Sequence, residues 1–298
     1  MSVHITSGDL DEWSRRRDSE GHLPTLVRRL IMESVRPDWI RMPAAEGVAL
    51  SGLDGIVSIS RSSHPYVPYG DSIWEIGTEQ GQRAKAISDY EKRTKDTPAE
   101  VRRTTTYVAV TNRKWSKGDK WVKEMKDRGD EWRDITVLTA DELTSWLDEC
   151  PNAQGWLREH LRRGSLGDTA LDTWFDRWSK QTMPATPDAV LTAGRRGDVI
   201  SLLDTLDAPV KDAITIAASS LEEAIAFTAA AVRLGPEPLP KDTTAEIDEE
   251  TKPDPAIRQP EHLEALRERS VVINDGDAWC RWSAHHTQHV LIPTFMPD

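Results

Sequence analysis

Asp54-Gly55-Ile56-Val57-Ser58-Ile59-Ser60, Ser72-Ile73-Trp74-Glu75-Ile76-Gly77-Thr78 and Gln82-Arg83-Ala84-Lys85-Ala86-Ile87-Ser88-Asp89-Tyr90-Glu91-Lys92-Arg93-Thr94 follow one another in the first third of the chain and decide its fold. Apolar residues at Ile56, Val57 and Ile59, then at Ile73, Trp74 and Ile76, predict two short strands. His64-Pro65-Tyr66-Val67-Pro68-Tyr69-Gly70 between them supplies turn chemistry. An antiparallel hairpin sets the start of its first strand beside the end of its second, so Asp54 and Glu75 are expected as neighbours. Two converging carboxylates repel unless a hard cation such as Mg²⁺ lies between them. Such a metal can activate water and carry charge on a phosphate. Strand alternation sets Ile73, Glu75 and Gly77 on one face, leaving a gap at the glycine. Residues 79–95 have helix-forming composition, so Lys85 is expected about two turns in, with its ammonium reaching that gap. There it can orient water or stabilise developing phosphate charge.

In this order, Gly52-x-Asp54-Gly55, Trp74-Glu75-x-Gly77-Thr78 and Lys85-Ala86-x-x-Asp89-Tyr90-x-Lys92-Arg93-Thr94 resemble the PD-(D/E)XK nuclease superfamily. The wording is similar to a branch found at the N-terminus of large bacterial multidomain proteins associated with defence against phage. The resemblance spans roughly residues 20–160. It implies a restriction-endonuclease-like α/β fold, a mixed sheet flanked by helices. It also implies metal-dependent cleavage of DNA, with Asp54 and Glu75 as ligands of Mg²⁺ or Mn²⁺ and Lys85 as the catalytic lysine. The superfamily's usual lysine position, two after the glutamate, is Gly77 here. If Lys85 does not replace it, the implied function is an inactive nuclease fold that binds nucleic acid or protein.

Glu46, and Glu33 on the preceding helix, are further candidates for metal or supporting roles. Tyr90, Lys92 and Arg93 are candidates for contact with the DNA backbone, set against an ordinary amphipathic helix. Arg102, Arg103, Arg113, Lys114, Lys117, Lys120, Lys123 and Lys126 form a basic cluster that suits phosphates or a solvated helix face.

Around this centre the sequence predicts a helix over 23–35 and a strand over 39–42. After the Lys85 helix come a strand over 104–111, a helix over 117–128, a strand over 135–138 and helices over 140–149 and 153–163. Trp121, Trp132, Trp146 and Trp156 are expected in packing contacts. The domain is expected to end at 163.

The chain of 298 residues has 38% hydrophobic and 30% charged residues, which suits two globular domains. Residues 1–163 carry 26 Lys and Arg against 27 Asp and Glu, a net of −1; the remainder carries 12 against 23, a net of −11. No run of about eighteen apolar residues and no basic-then-apolar leader occurs, so a cytoplasmic protein without a membrane span is expected. Cys150 and Cys280 make neither a disulfide framework nor a zinc site.

Residues 164–190 read as a connector with a short Trp174/Phe175/Trp178 helix, and 191–298 as a second, smaller α/β domain. There a helix is expected over 199–206, a strand over 213–217, and a helix over 220–234 opened by a Ser220–Glu223 capping box. Residues 236–260 read as a Pro-rich acidic loop, and strands are expected over 270–274 and 290–292. The order resembles a degenerate STAND-type NTPase module: Ala218-Ser219-Ser220-Leu221-Glu222-Glu223 replaces a phosphate loop, and two glutamates at a helix start repel phosphate. Asp275 and Asp277 read as turn residues, and His285, His286 and His289 lack an acidic or cysteine partner at metal spacing. The exposed last strand implies either a fragment of a longer protein or a sheet completed by another chain, and a homo-oligomer or partner subunit is an expectation of the same kind.

Overall fold

The computed structural model describes residues 4–42, 54–61, 64–163, 168–208, 214, 216–236, 258–273 and 290–293. It divides into two compact units, residues 1–166 and 167–298. Glu46, Cys280, Asp275, Asp277 and the three histidines at 285, 286 and 289 lie outside the described residues.

The first unit is α/β, with one mixed five-stranded sheet. Its strands are β1 (Trp39–Arg41), β2 (Gly55–Ile59), β3 (Gly70–Gly77), β4 (Thr105–Thr111) and β5 (Asp134–Leu138), in that spatial order. β1, β2 and β3 form an antiparallel meander, while β3, β4 and β5 run parallel. The parallel steps need crossovers. These are α3 (Gln82–Asp96) with the single turn α4 (Ala99–Arg102), and α5 (Gly118–Asp127).

The other helices are α1 (Ser7–Trp13), α2 (Ser19–Ser34), α6 (Ala140–Asp148) and α7 (Pro151–His160). α2 packs on β3 and α6 on β5, with α1 and α7 against them. On the other face, Ala86 and Tyr90 of α3 and Trp121 and Met125 of α5 bury Tyr107, Ala109, Ile135 and Val137. β4 is buried along its whole length, as its unbroken β-branched and apolar run requires. Trp121 and Trp146 sit in the core. The Trp146 indole Nε1 donates to Ser34 Oγ at 2.6 Å, which satisfies its one polar atom.

α1 was not among the expected helices, although its signal is present. Thr6 and Asp9 form a capping box, with Asp9 N donating to Thr6 Oγ1 and Thr6 N to Asp9 Oδ2. α2 begins at Ser19, a turn earlier than Pro24 suggests; a proline in the second turn forfeits only one intrahelical bond. α3 begins at Gln82 after left-handed Gly81, so Lys85 lies in its first turn and not two turns in.

The second unit is a smaller α/β body. A three-stranded sheet of β6 (Asp168–Ala170), β7 (Ser270–Ile273) and β8 (Val290–Pro293) has β6 antiparallel and β8 parallel to the central β7. Its helices are α8 (Leu171–Ser179), α9 (Asp188–Thr192), α10 (Arg196–Asp207), α11 (Leu221–Leu234) and α12 (Pro260–Glu268).

Two expectations are corrected here. β6 and α8 are not a connector: Leu171 and Phe175 pack with Val199, Leu203 and Ile225 in this unit's core. Ile214, Ile216 and Ala217, the described part of the strand expected over 213–217, belong to no strand, while residues 213 and 215 lie outside the described residues. Ser220 Oγ accepts from Glu223 N at 3.1 Å as expected of the cap. The Glu223 carboxylate, however, reaches Ser219 N at 3.0 Å, one residue before the cap.

No helix among the described residues is long and apolar enough to cross a membrane.

Candidate active site

The β2–β3 register pairs Gly55 with Trp74, which sets Asp54 beside Glu75. Packing at Gly55 is close, since a Cβ there would stand 2.6 Å from the mobile Met42 Cε and 3.3 Å from Trp74 Cβ. The Asp54 carboxylate is held at the start of β2 by the Ile76 N–H, which donates to Oδ2 at 2.8 Å. The hairpin expectation therefore holds in geometry.

The parallel register aligns Ile73 with Tyr107, Glu75 with Ala109 and Gly77 with Thr111, so all six residues share the face covered by α3 and α5. An open cleft lies there, lined by Glu75, Gly77, Glu79, Lys85, Asp89 and Tyr107 among others. Lys85, Asp89 and Arg93 recur at four-residue spacing along α3, so one helix row carries plus, minus and plus charges.

Glu75 is mostly buried, and its Oε1 accepts from Arg93 Nε at 2.7 Å and Nη2 at 2.5 Å. Burial pushes its carboxyl up to about 7; the Arg93 charge opposes this, while those of Asp54 and Asp89 reinforce it. Desolvation exceeds a close guanidinium because the carboxylate loses its water on nearly every side. Asp89 is raised for the same first reason, burial, against the pull of Lys85.

Lys85 Nζ lies 3.1 Å from Asp89 Oδ1 and 3.6 Å from Glu79 Oε1, and the side chain is 43% exposed. Burial lowers its pKa, but Asp89, Glu79 and Asp54 outweigh that and raise it, so it stays an ammonium at neutral pH. Its stem does pass over Gly77, where a Cβ would meet Lys85 Cγ at 3.8 Å. The space beside Gly77 is taken by Glu79, whose Oε2 would be 2.8 Å from that Cβ.

Tyr107 is fully buried, yet its hydroxyl finds no hydrogen-bond partner among the described residues. Its pKa is raised well above the ordinary phenol value, first by burial and then by Glu75 and Asp89. It therefore holds its proton. A buried donor beside carboxylates, unsatisfied and on the cleft wall, is the feature most in need of an external partner.

Several sequence candidates have other duties. Glu33 is fully buried, and its Oε1 and Oε2 each accept a backbone N–H, from Asn152 and Ala153, at 2.8 Å. It anchors the positive N-terminus of α7 and does not offer a metal ligand. Tyr90 is no DNA contact: it is fully buried, stacks edge-on against Tyr107 at 5.2 Å and donates to Asp130 at 3.1 Å. Arg93 is likewise turned inward onto Glu75, and Lys92 alone of that trio is exposed.

The basic cluster divides in the same way. Arg102 donates to three backbone carbonyls, Arg113 is buried on the carbonyls of Thr78 and Ser14, and Arg103 and Lys126 pair with Glu131 and Asp134. Lys114, Lys117, Lys120 and Lys123 remain exposed, without an ion pair among the described residues.

Sequence reasoning missed Arg93 as the partner of Glu75, and it missed Asp89, Glu79 and Tyr107. The 85–89–93 spacing was the available signal. Tyr107 had none, since its place depends on the β3–β4 register.

The chain matches no family model, and no curated protein or solved structure matches it.

Proposed function

We propose that the first unit is a metal-dependent DNA endonuclease of the PD-(D/E)XK, restriction-endonuclease-like type. The observation that carries this reading is the β2–β3 register that sets Asp54 beside Glu75, with Lys85 lining the same cleft as Glu75. The donor set fits a divalent cation: two interacting carboxylates, one of them nine-tenths buried and raised to about 7 by burial, leave a cost that a cation relieves. Asp54 and Glu75 would hold Mg²⁺ or Mn²⁺. When bound, the metal supplies Lewis-acid stabilisation of the phosphate and a more acidic water.

The chain's own groups do the remainder. Arg93 fixes the Glu75 rotamer by two donors to one oxygen. Lys85, kept protonated by Asp89 and Glu79, is unsuited to act as a base and instead stabilises charge growing on the phosphate. Tyr107 offers a hydroxyl proton to an oxygen entering the cleft. Exposed Lys114, Lys117 and Lys120 supply the counter-charge a polyanion needs.

The resemblance in sequence supports an effector of bacterial anti-phage defence working in the cytoplasm. The acidic second unit then serves regulation or assembly, as a degenerate NTPase-like module completed by a second copy or a partner subunit. Glu222 and Glu223 at the start of α11 speak against phosphate binding there.

A second reading is favoured by the Arg93–Glu75 ion pair, which already neutralises one ligand: an inactive nuclease fold that binds nucleic acid or protein. Plasmid DNA incubated with the protein and Mg²⁺ or Mn²⁺, beside EDTA, Glu75→Ala and Lys85→Ala controls, separates the two. Metal-dependent nicking lost in both variants supports the nuclease. DNA retention without cutting by the wild type supports the second reading.

A further inference from the structure

On the opposite side of the sheet from α3, a second set of metal-capable side chains comes together. Asp18 is the N-cap of α2, His22 lies in that helix's first turn, and His160 is the last residue of α7. One ligand atom from each lies within 4.8 Å of the other two. No other group of three His, Cys, Asp or Glu side chains among the described residues meets that condition, the Asp54/Glu75 cleft included.

The hydrogen bonds fix how the imidazoles present themselves. His22 Nδ1 lies 2.7 Å from the carbonyl oxygen of Asp18. A carbonyl only accepts, so Nδ1 carries the proton and the neutral ring has its lone pair on Nε2. This is the arrangement in which a backbone oxygen orients a histidine for a metal. His160 Nε2 lies 2.7 Å from Asp18 Oδ2, and the two imidazole rings are 4.4 Å apart between centroids.

The His160 ring is further held between aromatic neighbours, stacked on Trp156 at 5.5 Å and 12° and met edge-on by Trp13 at 5.9 Å. Arg16 also bonds Asp18, from Nε at 3.0 Å and Nη2 at 2.8 Å, and so leaves the carboxylate as a shared ligand. All three side chains are half-buried, which leaves water access for a fourth position.

We propose that Asp18, His22 and His160 form a binding site for an imidazole-preferring divalent transition metal, Zn²⁺ in the first instance. Two imidazoles and one carboxylate suit Zn²⁺ and disfavour Mg²⁺, which prefers oxygen. The cation displaces the proton that His160 Nε2 shares with Asp18. Ligands ~2.0–2.1 Å from a tetrahedral zinc stand about 3.3 Å apart, so the His160–Asp18 pair opens by roughly 0.6 Å, within reach of half-exposed side chains. The site ties the α1–α2 turn to the end of α7, and it is independent of the nuclease reading.

The test uses the full chain, stripped of metal and titrated with Zn²⁺ against a chromogenic chelator. His22→Ala and His160→Gln are compared with wild type and with Asp54→Asn/Glu75→Gln, with circular dichroism to confirm folding. One tight Zn²⁺ per chain is expected in wild type and in the cleft double variant, weakened at least tenfold in each histidine variant. Co²⁺ in place of Zn²⁺ should give the intense visible bands of a four-coordinate site, lost with either histidine. Equal Zn²⁺ binding by folded wild type and both histidine variants, or no binding by wild type, overturns the proposal.

Discussion

Arg93 directs Nε and Nη2 onto the same oxygen of Glu75, Oε1, at 2.7 and 2.5 Å, and Oε2 accepts no hydrogen bond among the described residues. The ion pair is almost wholly buried, at 7% and 10% side-chain exposure. Removing one member of such a pair strands the other. Arg93→Ala should therefore destabilise the metal-free protein by about 3 kcal/mol in urea unfolding. Mg²⁺ should recover part of that loss by taking the place of the guanidinium charge, and a loss that is the same with and without Mg²⁺ would count against a cation at Glu75.

Glu75 also sets a pH dependence. Folded, its carboxyl holds a proton up to about 7; unfolded, it releases it near 4.5. The folded state thus binds more protons between those values, and stability falls as pH rises through that window. The contribution is complete below the unfolded pKa and gone above the folded one. Glu75→Gln, which keeps the hydrogen bond to Arg93 without the charge, should flatten this slope in the absence of metal. Thermal unfolding at pH 5 and pH 8 measures it; parallel slopes in wild type and variant would refute it.

The Lys85 side chain is 43% exposed. Lys85→Ala should cost under about 1 kcal/mol in stability. Plasmid nicking should fall at least 100-fold, the order of losing one transition-state donor. A Cβ at Gly77 meets only the mobile end of Glu79. Gly77→Lys on the Lys85→Ala background should then restore measurable cutting, and a double variant as inactive as the single one would show that the ammonium cannot serve from the strand.

The Tyr107 hydroxyl is buried without a partner. Tyr107→Phe should therefore leave stability unchanged or raise it by about 1 kcal/mol, because an unsatisfied donor is removed. Its nicking rate should fall in the same protein. A stability loss would mean that the hydroxyl has a partner in solution.

Glu33 receives the first two N–H groups that α7 presents. Glu33→Gln replaces a charged acceptor pair by one acceptor and should cost about 2 kcal/mol in unfolding free energy, with Mg²⁺ affinity unchanged. A changed Mg²⁺ affinity would return Glu33 to the list of metal ligands.

What the sequence determined by itself was local. Period-two apolar runs and turn residues located β2 and β3, the unbroken β-branched run located β4, and helix periodicity located α3, α5 and α6, because these signals depend only on neighbours along the chain. The meeting of Asp54 and Glu75 was legible for the same reason, since a hairpin has a single local pairing. Tertiary structure alone decided which charges work in the cleft. Tyr90, Lys92 and Arg93 look equally basic or polar in sequence, but the turn of α3 buries the first and third and leaves only Lys92 in water. Asp89 and Tyr107 entered the cleft through the helix row and the β3–β4 register. Glu33 left the candidate set because α7, more than a hundred residues away in sequence, set its N-terminus on the carboxylate. Burial and long-range register are properties of the packed chain, and desolvation, which raises Glu75 to about 7, exists only once that packing has removed the water.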